Sequence, residues 1–147
     1  MNEIKSEYIE QLIILNHAIL KHYKDSQIDM NALYPQGITS TELSIIQIVN
    51  VKPDIIIKEI SEYLAIPGST LTSAIDRLEQ KNLIIRIVSK KNRHSFGLQL
   101  TDEGIKLNAE HEKAERQIWK KILLLLDNDN DREQLIKLIG TIVNKLG

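Results

Sequence analysis

The sequence predicts a mainly α-helical fold with one small β-hairpin, and three observations carry that prediction. Between Ile55 and Thr101 the apolar pattern changes from helical spacing to two short apolar runs separated by a basic loop. Two helical stretches within that region are joined by Ala65-Ile66-Pro67-Gly68, a link too short for anything but a sharp turn. Long amphipathic helical patterns flank the region on both sides.

Taken in order, residues 4 to 24 read as a helix with Ile4, Tyr8, Leu12, Leu15, Ile19 and Tyr23 on one stripe. Ile9, Ile13 and Leu20 widen it beyond what one interface requires. A helix from Ile56 to Leu64 follows, with Ile56, Ile57, Ile60 and Leu64 on one face. Ser69 or Thr70 can cap the next helix, whose Leu71, Ile75 and Leu78 face inward. Its exposed face then presents Ser69, Thr70, Thr72, Ser73, Asp76 and Arg77. Leu83 to Val88 and Phe96 to Leu100 form the hairpin, with Lys90-Lys91-Asn92-Arg93-His94 as its basic tip. Two helices at a tight turn followed by such a hairpin make a winged helix-turn-helix, in which the second helix can enter the major groove of DNA.

Thr101 is placed to cap a helix over residues 102–126, with Asp102 and Glu103 in its first turn, where the helix dipole favours acids. Its polar half, Lys106 to Arg116, gives way to Ile118, Trp119, Ile122, Leu123 and Leu126. Asp127 to Asp131 breaks it, and a last helix over 131–146 carries Leu135, Leu138, Ile139, Ile142, Val143 and Leu146. A winged helix already has a small core of its own, so three further amphipathic helices exceed what one copy needs. They predict a helical homodimer interface, with folding back on the same chain as the alternative. The chain reads as a single domain, 1–147, with a winged-helix lobe at 38–101 and a helical dimerisation lobe at 1–25 and 102–147.

The net charge of −1 is unlike that of a generic nucleic-acid binder, but its distribution is uneven. Residues 68–99 hold Arg77, Lys81, Arg86, Lys90, Lys91 and Arg93 against Asp76 and Glu79, and three of the chain's five Arg fall between 77 and 93. The planar guanidinium fork suits phosphates and guanine edges. Surplus charge on a solvated hairpin would look the same.

Several features together resemble the MarR-type bacterial transcription regulators. These are Ile38-Thr39, Glu42-Leu43, Glu59-Ile60-Ser61, Thr70-Leu71-Thr72, Asp76-Arg77-Leu78-Glu79 leading into Leu83-Ile84, Arg86, the wing Arg93, and Leu100-Thr101-Asp102-Glu103-Gly104. The resemblance covers roughly residues 38–104. It implies a dimer that binds pseudo-palindromic double-stranded DNA, a repressor foremost, with Ser69, Thr70, Thr72, Ser73 and Arg77 contacting phosphates and bases. Lys90, Lys91 and Arg93 belong to the wing, with Arg93 reaching the minor groove. It also implies a small aromatic effector in a cleft between the helical lobe and the winged helix, where Tyr8, His17 and Gln47 are candidates; Tyr8 is equally readable as core. Four departures stand out. The wing has Asn92-Arg93-His94 in place of Asp-Arg-Arg, Ser73 replaces an Arg, and Ala65 and Asn82 stand at glycine positions. Asn82 also tolerates the left-handed conformation such a glycine adopts.

Other chemistry is thin. There is no cysteine, which excludes disulfides, thiolate metal sites and thiol redox sensing. His111 and Glu115 have the spacing of a metal pair without a third ligand, and read as solvated helix residues. Ile66 to Thr70 lacks the Lys and glycines of a phosphate loop, and no Ser-His-acid arrangement can be defended, so neither a cofactor nor an enzyme is expected. The amino terminus has no apolar signal region and no run is long enough to span a membrane, which points to the cytoplasm. The alternative to a DNA-binding regulator is a winged-helix interaction module that has lost DNA binding.

Overall fold

The computed structural model describes residues 4–23, 33–91 and 93–146, apart from the side chains of Leu20 and Tyr23. Residue 24, at the end of the first helix expected from sequence, and Asn92 of the wing lie outside the described residues. The elements are α1 (Ser6–Tyr23), α2 (Ser40–Val51), α3 (Ile57–Leu64), α4 (Gly68–Gln80), β1 (Ile84–Val88), β2 (Phe96–Leu100), α5 (Asp102–Leu124) and α6 (Asp129–Leu146). The fold is therefore mainly α with one antiparallel hairpin, as predicted. Two compact units divide the chain: Asn31–Glu115, and Met1–Met30 with Arg116–Gly147.

The Asn31–Glu115 unit is the winged helix. Its core gathers Ile45, Ile46, Ile48 and Val49 from α2, Ile60 from α3, Leu71, Ala74, Ile75 and Leu78 from α4, and Leu83, Ile84 and Leu98 from the hairpin. Helix α2 is the element that periodicity did not assign, because it is apolar almost all round. Its start is nevertheless encoded: Thr39 accepts from the Glu42 backbone while the Glu42 carboxylate accepts from the Thr39 N–H, a reciprocal capping box.

The α3–α4 turn departs from expectation at its cap. Helix α4 begins at Gly68 with Pro67 before it, and no side chain caps it; neither Ser69 nor Thr70 does so. Proline's fixed φ suits the entry to a helix, so the chain turns there without a hydroxyl. Ala65 holds the turn in the left-handed region (φ 51°), closed by the Ser61 hydroxyl donating to the Ile66 carbonyl at 2.8 Å.

In the hairpin Ile84 pairs with Leu100 and Val88 with Phe96. Ile56 adds a bridge to Gly97, whose missing side chain admits the Ile55 carbonyl; a Cβ there would lie 3.2 Å from that oxygen. At the base of the hairpin Asn82 is left-handed (φ 54°), as its residue type allowed. Thr101 is the predicted cap of α5: its hydroxyl accepts from the Gly104 N–H at 3.0 Å and donates to the Asn82 carbonyl at 2.6 Å. Gly104 meets the chain so closely that a Cβ would sit 2.0 Å from the Leu83 carbonyl oxygen.

In the helical unit, Asn128 caps α6 through the Asp131 N–H. Arg132 donates to the Leu123 and Leu126 carbonyls at the end of α5 and to Asp129. Along α1 the residues Tyr8, Ile9, Leu12, Ile13, Leu15 and Ile19 are exposed, and α6 buries none of its described residues. Tyr8 is thus not core within one copy of the chain.

Candidate nucleic-acid interface

The exposed face of α4 carries all five helix residues proposed from sequence, and the structure sorts them by what their polar atoms already do. Thr72 donates its hydroxyl to the Gly68 carbonyl at 2.8 Å, and Ser73 donates to Ser69 at 3.0 Å. With their protons committed one turn back, these hydroxyls offer outward only lone pairs, which suit a base amino group rather than a phosphate. Ser69 and Thr70, in the first turn, are exposed and keep their hydroxyls open among the described residues.

Arg77 is not a free cation. Its Nε donates to Glu42 Oε1 at 2.9 Å, and its side chain remains about half exposed. Glu42 is fully buried, an acid that sequence reasoning noted only as part of a pattern. Lys81 Nζ closes on the same carboxylate, at 3.2 Å from Oε1 and 3.1 Å from Oε2, and donates to the Gly37 carbonyl at 2.6 Å. Burial alone would push the Glu42 carboxyl up. The Thr39 N–H, Arg77 and Lys81 outweigh that and lower it from 4.5 to about 2, so the group is ionised at neutral pH.

Arg86 is likewise spoken for. It joins β1 to α4 by pairing with Asp76 at 2.6 Å and with Glu79, and those partners hold its pKa above the ordinary arginine value. It braces the hairpin against the recognition helix from an exposed position. The local positive excess counted from sequence therefore shrinks on folding. Lys90, Lys91 and Arg93 remain exposed at the wing tip, and no described residue pairs with the Arg93 guanidinium.

The effector candidates belong to different units of the chain. Tyr8 and His17 lie on α1 in the helical unit, both exposed, and Gln47 lies in the winged-helix unit. Gln47 meets His111, which is buried rather than the solvated helix residue expected from sequence, its Nε2 3.0 Å from Gln47 Nε2. The Gln47 amide and the imidazole thus meet as a hydrogen-bonded pair, and the other ring nitrogen, Nδ1, is buried without a partner among the described residues. The periodicity of α5 placed His111 among polar neighbours and hid this. Gln47 and His111 line a cavity of about 210 Å³ with Tyr34, Ser44, Leu43 and Glu115. Among the described residues no group of three or more His, Cys, Asp or Glu could hold a metal ion.

The model of the MarR family matches residues 38–96. Those residues are a MarR-family winged helix. Outside comparisons agree in kind. The HTH-type transcriptional repressor MdtR of Bacillus subtilis is 36% identical over 75 residues, which is 51% of this chain and 48% of that protein. The chain thus spans about half the length of this curated relative. The crystal structure of YusO from Bacillus subtilis covers 97% of this chain and 99% of its own, at 23% identity and a TM-score of 0.72. An S. aureus MepR mutant bound to an oligodeoxyribonucleotide covers 99% and 100% at 19% identity, with a TM-score of 0.58. These structural likenesses are of fold. Among the described residues, no MarR-segment helix, nor any other, is long and apolar enough to cross a membrane.

Proposed function

We propose that this protein is a transcription regulator, not an enzyme, that binds double-stranded DNA as a homodimer and acts foremost as a repressor. The observation that carries the reading is the α4 face beside the exposed cations Lys90, Lys91 and Arg93 of the wing on a MarR-family winged helix. Ser69 and Thr70 sit at the end of the recognition helix that enters the groove, beside first-turn N–H groups that no side chain caps and that suit a phosphate. Thr72 and Ser73 present acceptors to base edges. Lys90 and Lys91 meet the backbone, and Arg93 reaches a narrow minor groove. Two copies related by a two-fold axis read half-sites about one helical turn apart, so the operator is a pseudo-palindrome.

A gel shift with the duplex upstream of the protein's own gene tests this. Arg93→Ala should weaken binding by about 1–3 kcal/mol. Full retention of affinity by Arg93→Ala would remove the wing from the interface. The alternative, an interaction module without DNA binding, draws on the exposed Ile85, Val88 and Phe96 of the wing, and a parent chain that retards no duplex would favour it.

The effector site within this reading is the cavity at Gln47 and His111. Its lining within the winged-helix unit holds the Glu115 carboxylate and no Lys or Arg, which suits an uncharged phenol better than an aromatic anion. A thermal-shift screen of phenols against aromatic acids, followed by operator release, tests it. Binders that never weaken DNA binding would refute regulation through this cavity.

A further inference from the structure

We infer that Glu42 is a positioning residue for DNA binding: it grips the Nε edge of Arg77 and so aims the rest of that guanidinium at a backbone phosphate. The inference rests on the DNA-binding reading above and adds a residue that reading does not contain.

Arginine has five N–H donors arranged in a fork. Here one donor, on Nε, is used by Glu42 Oε1 at 2.9 Å, and no described residue accepts from the two terminal amino groups. A guanidinium held at Nε by an immobile acceptor keeps its terminal pair pre-oriented, which lowers the side-chain entropy lost on contact. The acceptor is immobile for three reasons. Glu42 is fully buried, its Oε2 takes the Thr39 N–H at 2.8 Å, and Lys81 holds both oxygens.

The site chosen for the guanidinium also follows from position. Arg77 lies in the last turn of α4, whereas base edges are met by the N-terminal residues of a recognition helix. A cation at the far end therefore meets the sugar–phosphate backbone. Lys81 is excluded from that role, because its ammonium is shared among Glu42 and the Gly37 carbonyl. Lys81 instead completes the charge balance of the buried acid and leaves Arg77 half exposed.

The test uses the full chain, a labelled duplex from the region upstream of its own gene, and binding measured across a range of salt. Glu42→Gln keeps the contact to Thr39, since Gln serves in a capping box. It also leaves one oxygen where the carboxylate had two, and turns an amide N–H₂ toward two cations. Arg77→Lys keeps a cation on Glu42 but lacks the spare fork.

Each substitution is expected to lower affinity by roughly tenfold and to reduce the salt slope by about 0.9 for each subunit that loses its phosphate contact. The double variant should bind no worse than Arg77→Lys alone. The Arg77 Nε–H resonance, slow to exchange in the parent, should be lost in Glu42→Gln without any DNA present. Unchanged affinity and slope in Glu42→Gln, while the parent binds, overturns this inference alone. Parent-like binding by Arg77→Lys overturns it even where Glu42→Gln fails to fold. A parent that binds no duplex overturns both this inference and the reading beneath it, whereas the Nε–H signal reports the grip by itself.

Discussion

Glu42 shows how much of one residue's role depends on partners far away in sequence. Its carboxyl is lowered from 4.5 to about 2 in the folded chain, so it stabilises the fold above pH 4.5, and that contribution is lost as pH falls from there toward 2. The shift corresponds to stabilisation on the order of 3 kcal/mol. Denaturant unfolding followed from pH 7 to pH 2.5 should show that acid arm, and Glu42→Gln should flatten it while lowering stability at neutral pH. Ala65 offers the opposite lesson, a cost visible only in the backbone. A left-handed alanine is strained by about 1–2 kcal/mol, against which glycine loses about 0.4–1 kcal/mol through the unfolded chain. Ala65→Gly should therefore raise Tm by about 2–4 °C in a calorimetric scan, and a lower Tm would show that the turn is not strained. From sequence, Ala65 was legible as a departure from a glycine position. The Arg77–Glu42 pair was not, because 35 residues separate its partners and periodicity reports only which side of a helix faces out.

At the scale of elements, what was legible is what has a local cause. The hairpin, the α3–α4 turn, the Thr101 cap and the alternate faces of α3 and α4 each follow from spacing within a few residues, and each is present. Helix α2 escaped because its apolar residues, Leu43, Ile45, Ile46, Ile48, Val49 and Val51, are spread around the helix and leave no single-face period to read, although Thr39 and Glu42 announced its start in the form of a capping box. The start of α4 was misplaced for a similar reason: hydroxyls are good caps in general, yet Pro67 fixed the entry and left Thr72 and Ser73 to bond backward to the turn before them. Contacts between elements were out of reach altogether, which is why Arg86 counted toward the local positive excess and is a brace to Asp76 and Glu79. Gly104 marks the tightest such junction. Its Cβ position is 2.0 Å from the Leu83 carbonyl, so α5 can leave the hairpin at that angle only with a glycine in its first turn. Gly104→Ala must push α5 off the strand and should cost about 3 kcal/mol, the upper end of overpacking penalties. Urea unfolding would measure it, and a loss below 1 kcal/mol would mean that the junction yields easily.

For the molecule as a whole, the distribution of apolar surface sets the strongest constraint. The winged-helix unit buries its own core completely, with Ile45, Ile46, Ile60, Leu78 and Leu98 all at 0% exposure. The helical unit does the reverse. Leu12, Leu15 and Ile19 on α1, Trp119, Leu124 and Leu125 around the end of α5, and Leu138, Ile142, Val143 and Leu146 on α6 are all exposed in one copy. Large apolar side chains left exposed in such number are what an interaction surface would cover. Since the exposed residues lie at both ends of the chain, the proposed homodimer would cover them with a second copy, and its two-fold symmetry would match the proposed pseudo-palindromic operator. Light scattering of the full chain should give about twice the 16.9 kDa chain mass. Removing residues 128–147 deletes α6 together with Asn128 and Arg132, and so takes away both the α6 face and the side chain that closes the last carbonyls of α5. That truncation should become monomeric or insoluble while the winged-helix core stays intact by circular dichroism. It should also lose most of its operator affinity, because two linked recognition helices bind far more tightly than one. A full-length chain that stays monomeric and soluble at micromolar concentration would contradict the dimer, and would require the exposed stripes of α1 and α6 to be covered by something other than a second copy.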